Sequence, residues 1–200
     1  MTTNNFIRLF WAIDIPEELK AKLFFSEIKK INNLKIVKRE NLHLTLCFLG
    51  EIPETIFNSY SEKIKTLDTN DVNAFTIELK NTGVFPDLKR PSVFWIGVID
   101  KELLINKLYK KIYDFSLKEL KEYFIEKKSQ KFQPHITIGR IKGKTNSNTI
   151  KEIIKKYTDY SFGKFEVDKI KLYQSTLKPT GSEYIKIFEI NLNKRSDKDE

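Results

Sequence analysis

The hydrophobic and polar positions along this 200-residue chain change period several times, and the changes predict alternating strands and helices. Phe6 to Ile13 is a nearly unbroken apolar run, which predicts a strand buried on both faces. Pro16-Glu17-Glu18 opens a helix, with acidic residues in the first turn where the helix dipole favours them. Leu19, Leu23, Phe24, Ile28 and Ile31 mark its buried stripe. A turn at Asn32-Asn33 leads to a short strand around Ile36-Val37, then to the run His43-Leu44-Thr45-Leu46, which Gly50 ends. Pro53 starts a second helix that runs to about Leu67.

Residues 74–84 and 92–99 read as strands joined by a loop holding Pro86, Asp87 and Pro91. Between Lys101 and about Phe124, Leu104, Leu108, Ile112 and Phe115 recur at helical spacing. A basic segment, Lys127 to Lys131, precedes a second run, His135-Ile136-Thr137-Ile138. A helix at about 147–157 follows, then strands near 164–174 and 184–192. The residues from Lys194 onward are all charged or polar and are expected to fray. Alternating strands and helices with few short crossovers favour α+β, with antiparallel sheets covered by helices on one side. Each His strand precedes a Gly-containing turn, an amphipathic helix and a strand pair, which suggests an internal duplication.

Composition adds two constraints. Apolar content of 40% with 32% charged residues describes an ordinary soluble globular protein, large enough to bury a real core. The net charge of +9 leaves two readings open, an anionic partner such as nucleic acid or a lysine-rich solvated surface. The lone cysteine, Cys47, excludes an internal disulfide and fits a reducing compartment. It shares an alternation position with His43 and Thr45, and reads as a small residue lining the strand in preference to a nucleophile. No basic-then-apolar leader opens the chain and no apolar run approaches the ~18 residues of a membrane span, so the expected location is cytoplasmic, with no membrane partner.

The chain has only two histidines, His43 and His135, and both fall in the frame His-x-Thr-x with aliphatics between. On a strand this frame sends imidazole and hydroxyl to one face and the aliphatics to the other. With threonine at about 7% and apolar residues at about 40%, both histidines would enter it by chance roughly once in ten thousand such chains. Core packing gives no reason to repeat the threonine. A metal site would need a further ligand such as Asp14, and no HxxxH, HxH or cysteine cluster is present. A Ser-His-Asp hydrolase lacks its G-x-S-x-G turn. Metal-free phosphoryl chemistry uses every part of the frame: one imidazole as base, one imidazolium as acid, and the hydroxyls as donors to non-bridging oxygens. Arg140, five residues past His135, reads equally as a fork that clamps phosphate or stacks on a base and as a solvated strand end.

These motifs resemble the 2H phosphoesterases, specifically the bacterial and archaeal RNA 2′,3′-cyclic phosphodiesterases, also called the 2′-5′ RNA ligase family. Arg8 to Pro16 is similar to the family's opening strand, and Glu40 to Gly50 to its first motif. Gly83-Val84-Phe85-Pro86, Pro91 and Phe94 to Val98 resemble its middle segment. Pro134 to Arg140 resembles its second motif, and Leu172 to Ser175 with Leu177, Pro179, Gly181 and Tyr184 its last. Arg39 stands where relatives often carry proline, and Gln174 where a basic residue is common.

The resemblance implies one bilobal α+β domain over residues 1–193 with pseudo-twofold symmetry, antiparallel sheets lining a central cleft, and a charged tail at 194–200. It implies metal- and cofactor-independent hydrolysis of an RNA terminal 2′,3′-cyclic phosphate to a 2′-phosphate, with minor reverse 2′-5′ ligation, by a monomer with no obligate protein partner. His43 would be the proton donor and His135 the proton acceptor, with Thr45, Thr137 and Arg140 on the phosphate. Trp11 would either stack on the terminal base or fill the lobe core. Read from the residues alone, the two histidines are symmetric, and neither is marked as acid or base. Other 2′-linked or cyclic phosphates, such as 2′-5′ oligonucleotides, remain a substrate reading, and a non-catalytic RNA-binding module remains a reading of another class.

Overall fold

The computed structural model describes residues 5–124, 132–179 and 181–194. Its strands are β1 (Phe6–Asp14), β2 (Leu34–Ile36), β3 (His43–Pro53), β4 (Phe75–Phe85), β5 (Val93–Ile99), β6 (His135–Ile141), β7 (Ser161–Val167), β8 (Lys169–Lys178) and β9 (Gly181–Asn191). The helices are α1 (Glu17–Lys22), α2 (Glu54–Ile64), α3 (Leu104–Leu120) and α4 (Ser147–Lys156). All named strands join one sheet in the order β7-β4-β5-β6-β3-β1-β8-β9, with β2 beside β6, and every pairing is antiparallel. The architecture is α+β, as the pattern of elements indicated. Among the described residues no helix is long and apolar enough to cross a membrane.

The sheet order reads symmetrically outward from a seam between β3 and β6, the two histidine strands. They are paired at one place only, Leu44 with Ile136. Beyond it the strands part, and β2 takes over the edge of β6 from Gly139 to Ile141. On one side of the sheet, α2 and α3 cover the β1–β3 half, while α1 and α4 cover the β4–β7 half. Leu9, Trp11 and Ile13 of β1, Leu44 and Leu46 of β3, and Ile136 and Ile138 of β6 are buried in a continuous core with Ile105, Leu108 and Ile112 of α3. The histidines and threonines of the paired frames alternate with these aliphatics and occupy the other face.

Several boundaries differ from the sequence expectation. The first α-helix stops at Lys22, and a 3₁₀ turn at Ser26–Lys30 delivers Ile28 and Ile31 to the core instead. Phe25 is extended (φ −71°, ψ 156°) so that its ring can pack 4.3 Å from Tyr157 and 5.6 Å from Phe162. Gly50 does not end β3; at φ +88° it absorbs a bulge at Leu49, and the strand continues to Pro53. The stretch expected as one strand near 164–174 is two, broken at Asp168, and they pair with strands in opposite halves of the sheet. Composition does not encode that exchange of partner. The basic segment at 127–131 and the tail beyond Lys194 lie outside the described residues.

A buried polar chain ties β1 to two helices: Trp11 Nε1 donates to Tyr60 Oη at 3.2 Å, and Tyr60 Oη bonds Ser116 Oγ at 3.0 Å. All three residues are essentially inaccessible to solvent, and burial pushes the Tyr60 phenol up to about 12. Tyr60→Phe strands both neighbours without a partner. It is expected to cost roughly 1–3 kcal/mol per group left unpaired, whereas Ser116→Ala, which preserves the tryptophan bond, should cost less. Urea denaturation of the two variants checks that order, and a Tyr60→Phe protein as stable as the parent would contradict it.

Candidate active site

The same irregularity occurs in both histidine strands. In β3, Thr45 pairs with Ala12 and Cys47 with Trp11, so Leu46 is an extra residue. In β6, Thr137 pairs with Trp95 and Gly139 with Phe94, so Ile138 is extra. Each bulge follows its threonine directly and reverses the alternation beyond it. The residue five places after each histidine therefore returns to the histidine face, as Phe48 in β3 and Arg140 in β6. Strict alternation would have put Arg140 behind the sheet. The Ile138 carbonyl is taken up by the Val37 N–H at 2.9 Å.

The bulges also revise two expectations. Cys47 does not share a face with His43 and Thr45: it lies fully buried on the core side beside Trp11. Trp11 is no base-stacking platform, because it too is fully buried on the core side and bonded to Tyr60. The β1 residues facing the histidines are Phe10, Ala12 and Asp14. The tryptophan on this face is Trp95, whose ring centroid lies 6.4 Å from that of His135. It lies flat over Gly83, where an added Cβ would come within 2.2 Å of the indole.

Continuing the Leu44–Ile136 register by one residue in each direction sets His43 level with Thr137 and Thr45 level with His135. The two frames thus meet head to tail. Each imidazole is anchored alike: His43 Nδ1 donates to the Asn41 carbonyl at 2.7 Å, and His135 Nδ1 to the Gln133 carbonyl at 2.8 Å. A carbonyl can only accept, so Nδ1 carries a proton in both rings and Nε2 is the atom left for proton exchange. His43 Nε2 sits 2.9 Å from Thr45 Oγ1. Aromatic rings wall both sites. Phe10 and Tyr184 lie 4.9 and 5.4 Å from His43, and Phe85 lies 4.8 Å from His135.

Burial holds both imidazoles below the ordinary histidine value of 6.5. For His43 the Asn41 carbonyl and the Asp14 charge oppose this, while His135 and Lys20 add to it. For His135 the Gln133 carbonyl opposes it and the Arg140 charge adds to it. Asp14 itself is only partly buried, and hydrogen bonds from Lys171 and Tyr173 outweigh that burial and keep its carboxyl below the usual range. Both its oxygens are engaged, by Tyr173 Oη at 2.7 Å and Lys171 Nζ at 2.6 Å. Among the described residues no three His, Cys, Asp or Glu side chains converge as a metal-binding group.

A cleft of about 330 Å³ opens beside His43, walled by Phe10, Asp14, Asn41, Tyr173 and Tyr184. The β8–β9 hairpin closes one side, held by a 2.7 Å bond from Asn41 Nδ2 to the Ser182 carbonyl. The fold therefore brings together His43, Thr45, His135, Thr137 and Arg140, and excludes Trp11. Sequence reasoning gave no role to Phe10, Tyr173, Tyr184 or Trp95. The alternation Phe10-x-Ala12-x-Asp14 was a usable signal for the first, whereas the others arrive from distant strands.

A family model described as LigT-like phosphoesterase matches residues 13–95 and 115–184. The chain is 41% identical over 181 residues to an RNA 2′,3′-cyclic phosphodiesterase of Methanocaldococcus jannaschii, covering 89% of this chain and 96% of that protein. It is 33% identical over 190 residues to one from Archaeoglobus fulgidus, covering 92% of this chain and all of the relative. Among solved structures it is similar to TT0787 of Thermus thermophilus, with a TM-score of 0.76, 27% identity, and coverage of 94% of this chain and 100% of the other. Escherichia coli LigT in its apo form shares the fold with a TM-score of 0.69 at 22% identity, over 94% of this chain and 99% of that one.

The depressed imidazoles have a stability consequence. An unfolded histidine takes up its proton near 6.5, whereas the folded rings do so only at lower pH. The unfolded chain therefore binds more protons as pH falls below 6.5, and stability is lost until the folded values are passed. The wild type is expected to lose stability between pH 6.5 and 5 more steeply than a His43→Asn/His135→Asn double variant. Urea midpoints at the two pH values measure this, and equal slopes would rule out the histidines as the cause.

Proposed function

The chain belongs to the LigT-like phosphoesterase family, and from that premise we propose that it hydrolyses RNA terminal 2′,3′-cyclic phosphates to 2′-phosphates with its two histidines as acid and base. One observation carries the mechanism. Two imidazoles, each pinned through Nδ1 to a backbone carbonyl, present Nε2 on one face of a seam that also carries two threonine hydroxyls. Attack at phosphorus puts nucleophile and leaving group on opposite sides, and a pair of proton carriers is what that geometry requires.

In this reading His135 Nε2 takes a proton from water as its oxygen bonds to phosphorus. The P–O3′ bond breaks, and the Nε2 proton of His43 passes to O3′. The product carries a 2′-phosphate and a free 3′-hydroxyl, and a proton exchange with solvent restores both rings. Charge gathers on the non-bridging oxygens, where Thr45, Thr137 and the Arg140 guanidinium can donate. The cleft beside His43 suits the terminal nucleoside, since O3′ departs towards that imidazole. With a 5′-hydroxyl in place of water as the nucleophile, the same steps join RNA ends through a 2′-5′ linkage. Hydrolysis dominates because water is always present and a second RNA end must be held in position.

EDTA-treated protein incubated with an RNA ending in a 2′,3′-cyclic phosphate is expected to yield only the 2′-phosphate end. His43→Ala and His135→Ala should each lower turnover by roughly 10²–10⁴ with folding intact. Near-parental turnover in either variant, or activity that returns only with added metal, would sink the mechanism. The pH profile of kcat/KM provides a separate check. It reports the free enzyme, in which both imidazoles lie below 6.5, so the optimum between them is also expected below 6.5. An optimum above pH 7 would contradict that placement.

A further inference from the structure

The two histidine frames match each other, but their neighbours across the sheet do not. The cross-strand partner of His43 is Asp14 on β1, and that of His135 is Gly97 on β5. Directly paired residues share a face, with their Cβ atoms about 4.5–5.5 Å apart. A carboxylate therefore stands beside one imidazole, and the corresponding place beside the other carries no side chain. His43 and Asp14 also wall the same cleft. Resting on the two-histidine reading above, we propose that Asp14 is the positioning residue that divides the labour: its negative charge favours the imidazolium of His43 and makes that ring the proton donor, leaving His135 as the base.

Asp14 acts by charge and takes no proton from the ring. The ring N–H that could reach a carboxylate is already committed, His43 Nδ1 donating to the Asn41 carbonyl. The carboxylate is kept ionised from behind by Tyr173 and Lys171, and Lys171 is itself shared with Glu189 at 3.7 Å. The other charged groups around His43 are largely paired elsewhere. Lys20 of α1 bonds Glu17, Glu183 of β9 bonds Lys178, and Glu40 lies 4.0 Å from Lys38. On β6, His135 adds a positive charge only when it is itself protonated. Arg140, two positions beyond Thr137 on the site face once the bulge is counted, adds its fixed positive charge to the His135 side.

Because the chain has only these two histidines, imidazole NMR titration of the whole protein reads each ring separately, with His135→Gln assigning the signals. Asp14→Asn preserves size and an acceptor for Tyr173 while removing the charge. In this variant the His43 pKa should fall by roughly one pH unit with His135 unmoved. The basic limb of the kcat/KM profile should move down by the same amount, with about a tenfold loss of kcat/KM at neutral pH that falls on kcat and leaves KM little changed. Lys171→Met, which removes the competing cation, should shift the His43 pKa the other way. Opposite shifts exclude a general structural disturbance. An unchanged His43 titration in Asp14→Asn, or shifts of the same sign in both variants, would overturn the proposal while leaving the two-histidine mechanism standing. Full turnover in His43→Ala would instead remove the mechanism and this proposal with it.

Discussion

One backbone pairing, Leu44 with Ile136, brings the two halves of this protein into register. Each side of that pair is an aliphatic residue of zero exposure, packed on the helix-covered face of the sheet. Because strand side chains alternate, sinking these two aliphatics forces their neighbours to the opposite face. Because the strands are antiparallel, the histidine of one frame then lies level with the threonine of the other. A slip of one residue would bury the imidazoles and expose the aliphatics, so hydrophobic burial holds the register that sets the two frames head to tail.

The bulges beside this seam do a second job. An extra residue after each threonine reverses the strand, and its consequences differ on the two sides. In β6 it carries Arg140 over to the site and leaves Gly139 where Leu34 packs closely. In β3 it carries Phe48 to that face, where the Arg8 guanidinium lies 4.8 Å from the ring centroid, and sends Cys47 inward. One local device thus places a cation at one end of the site and an aromatic ring at the other.

Near-symmetric strands therefore yield an asymmetric site. The anchoring of the two imidazoles is the same, each through Nδ1 to the carbonyl two residues earlier. What differs is electrostatic: a carboxylate across from His43, and a guanidinium on the strand of His135. Both rings bear a desolvation cost from their walls of aromatic side chains, and a difference in neighbouring charge shifts the proton affinity of one ring against the other.

Local sequence carries the candidate site groups and most of the elements that hold them. Two histidines, each followed by a threonine in alternating aliphatic context, show their shared face through a period of two, which is a local property of strands. The amphipathic stripes of α2, α3 and α4 were legible for the same reason. Long-range packing settles what local period cannot express. The helix that ends at Lys22, the division of 161–178 into β7 and β8, and the burial of Trp11 and Cys47 all follow from which strand or helix lies alongside. Arg140 reaches the site only because β5 and β6 pair with one residue to spare. Asp14 and Gly97 acquire opposite meanings only because each is set across from a different histidine. Partners far apart in the chain are chosen by packing and register together, and neither is written at any single position.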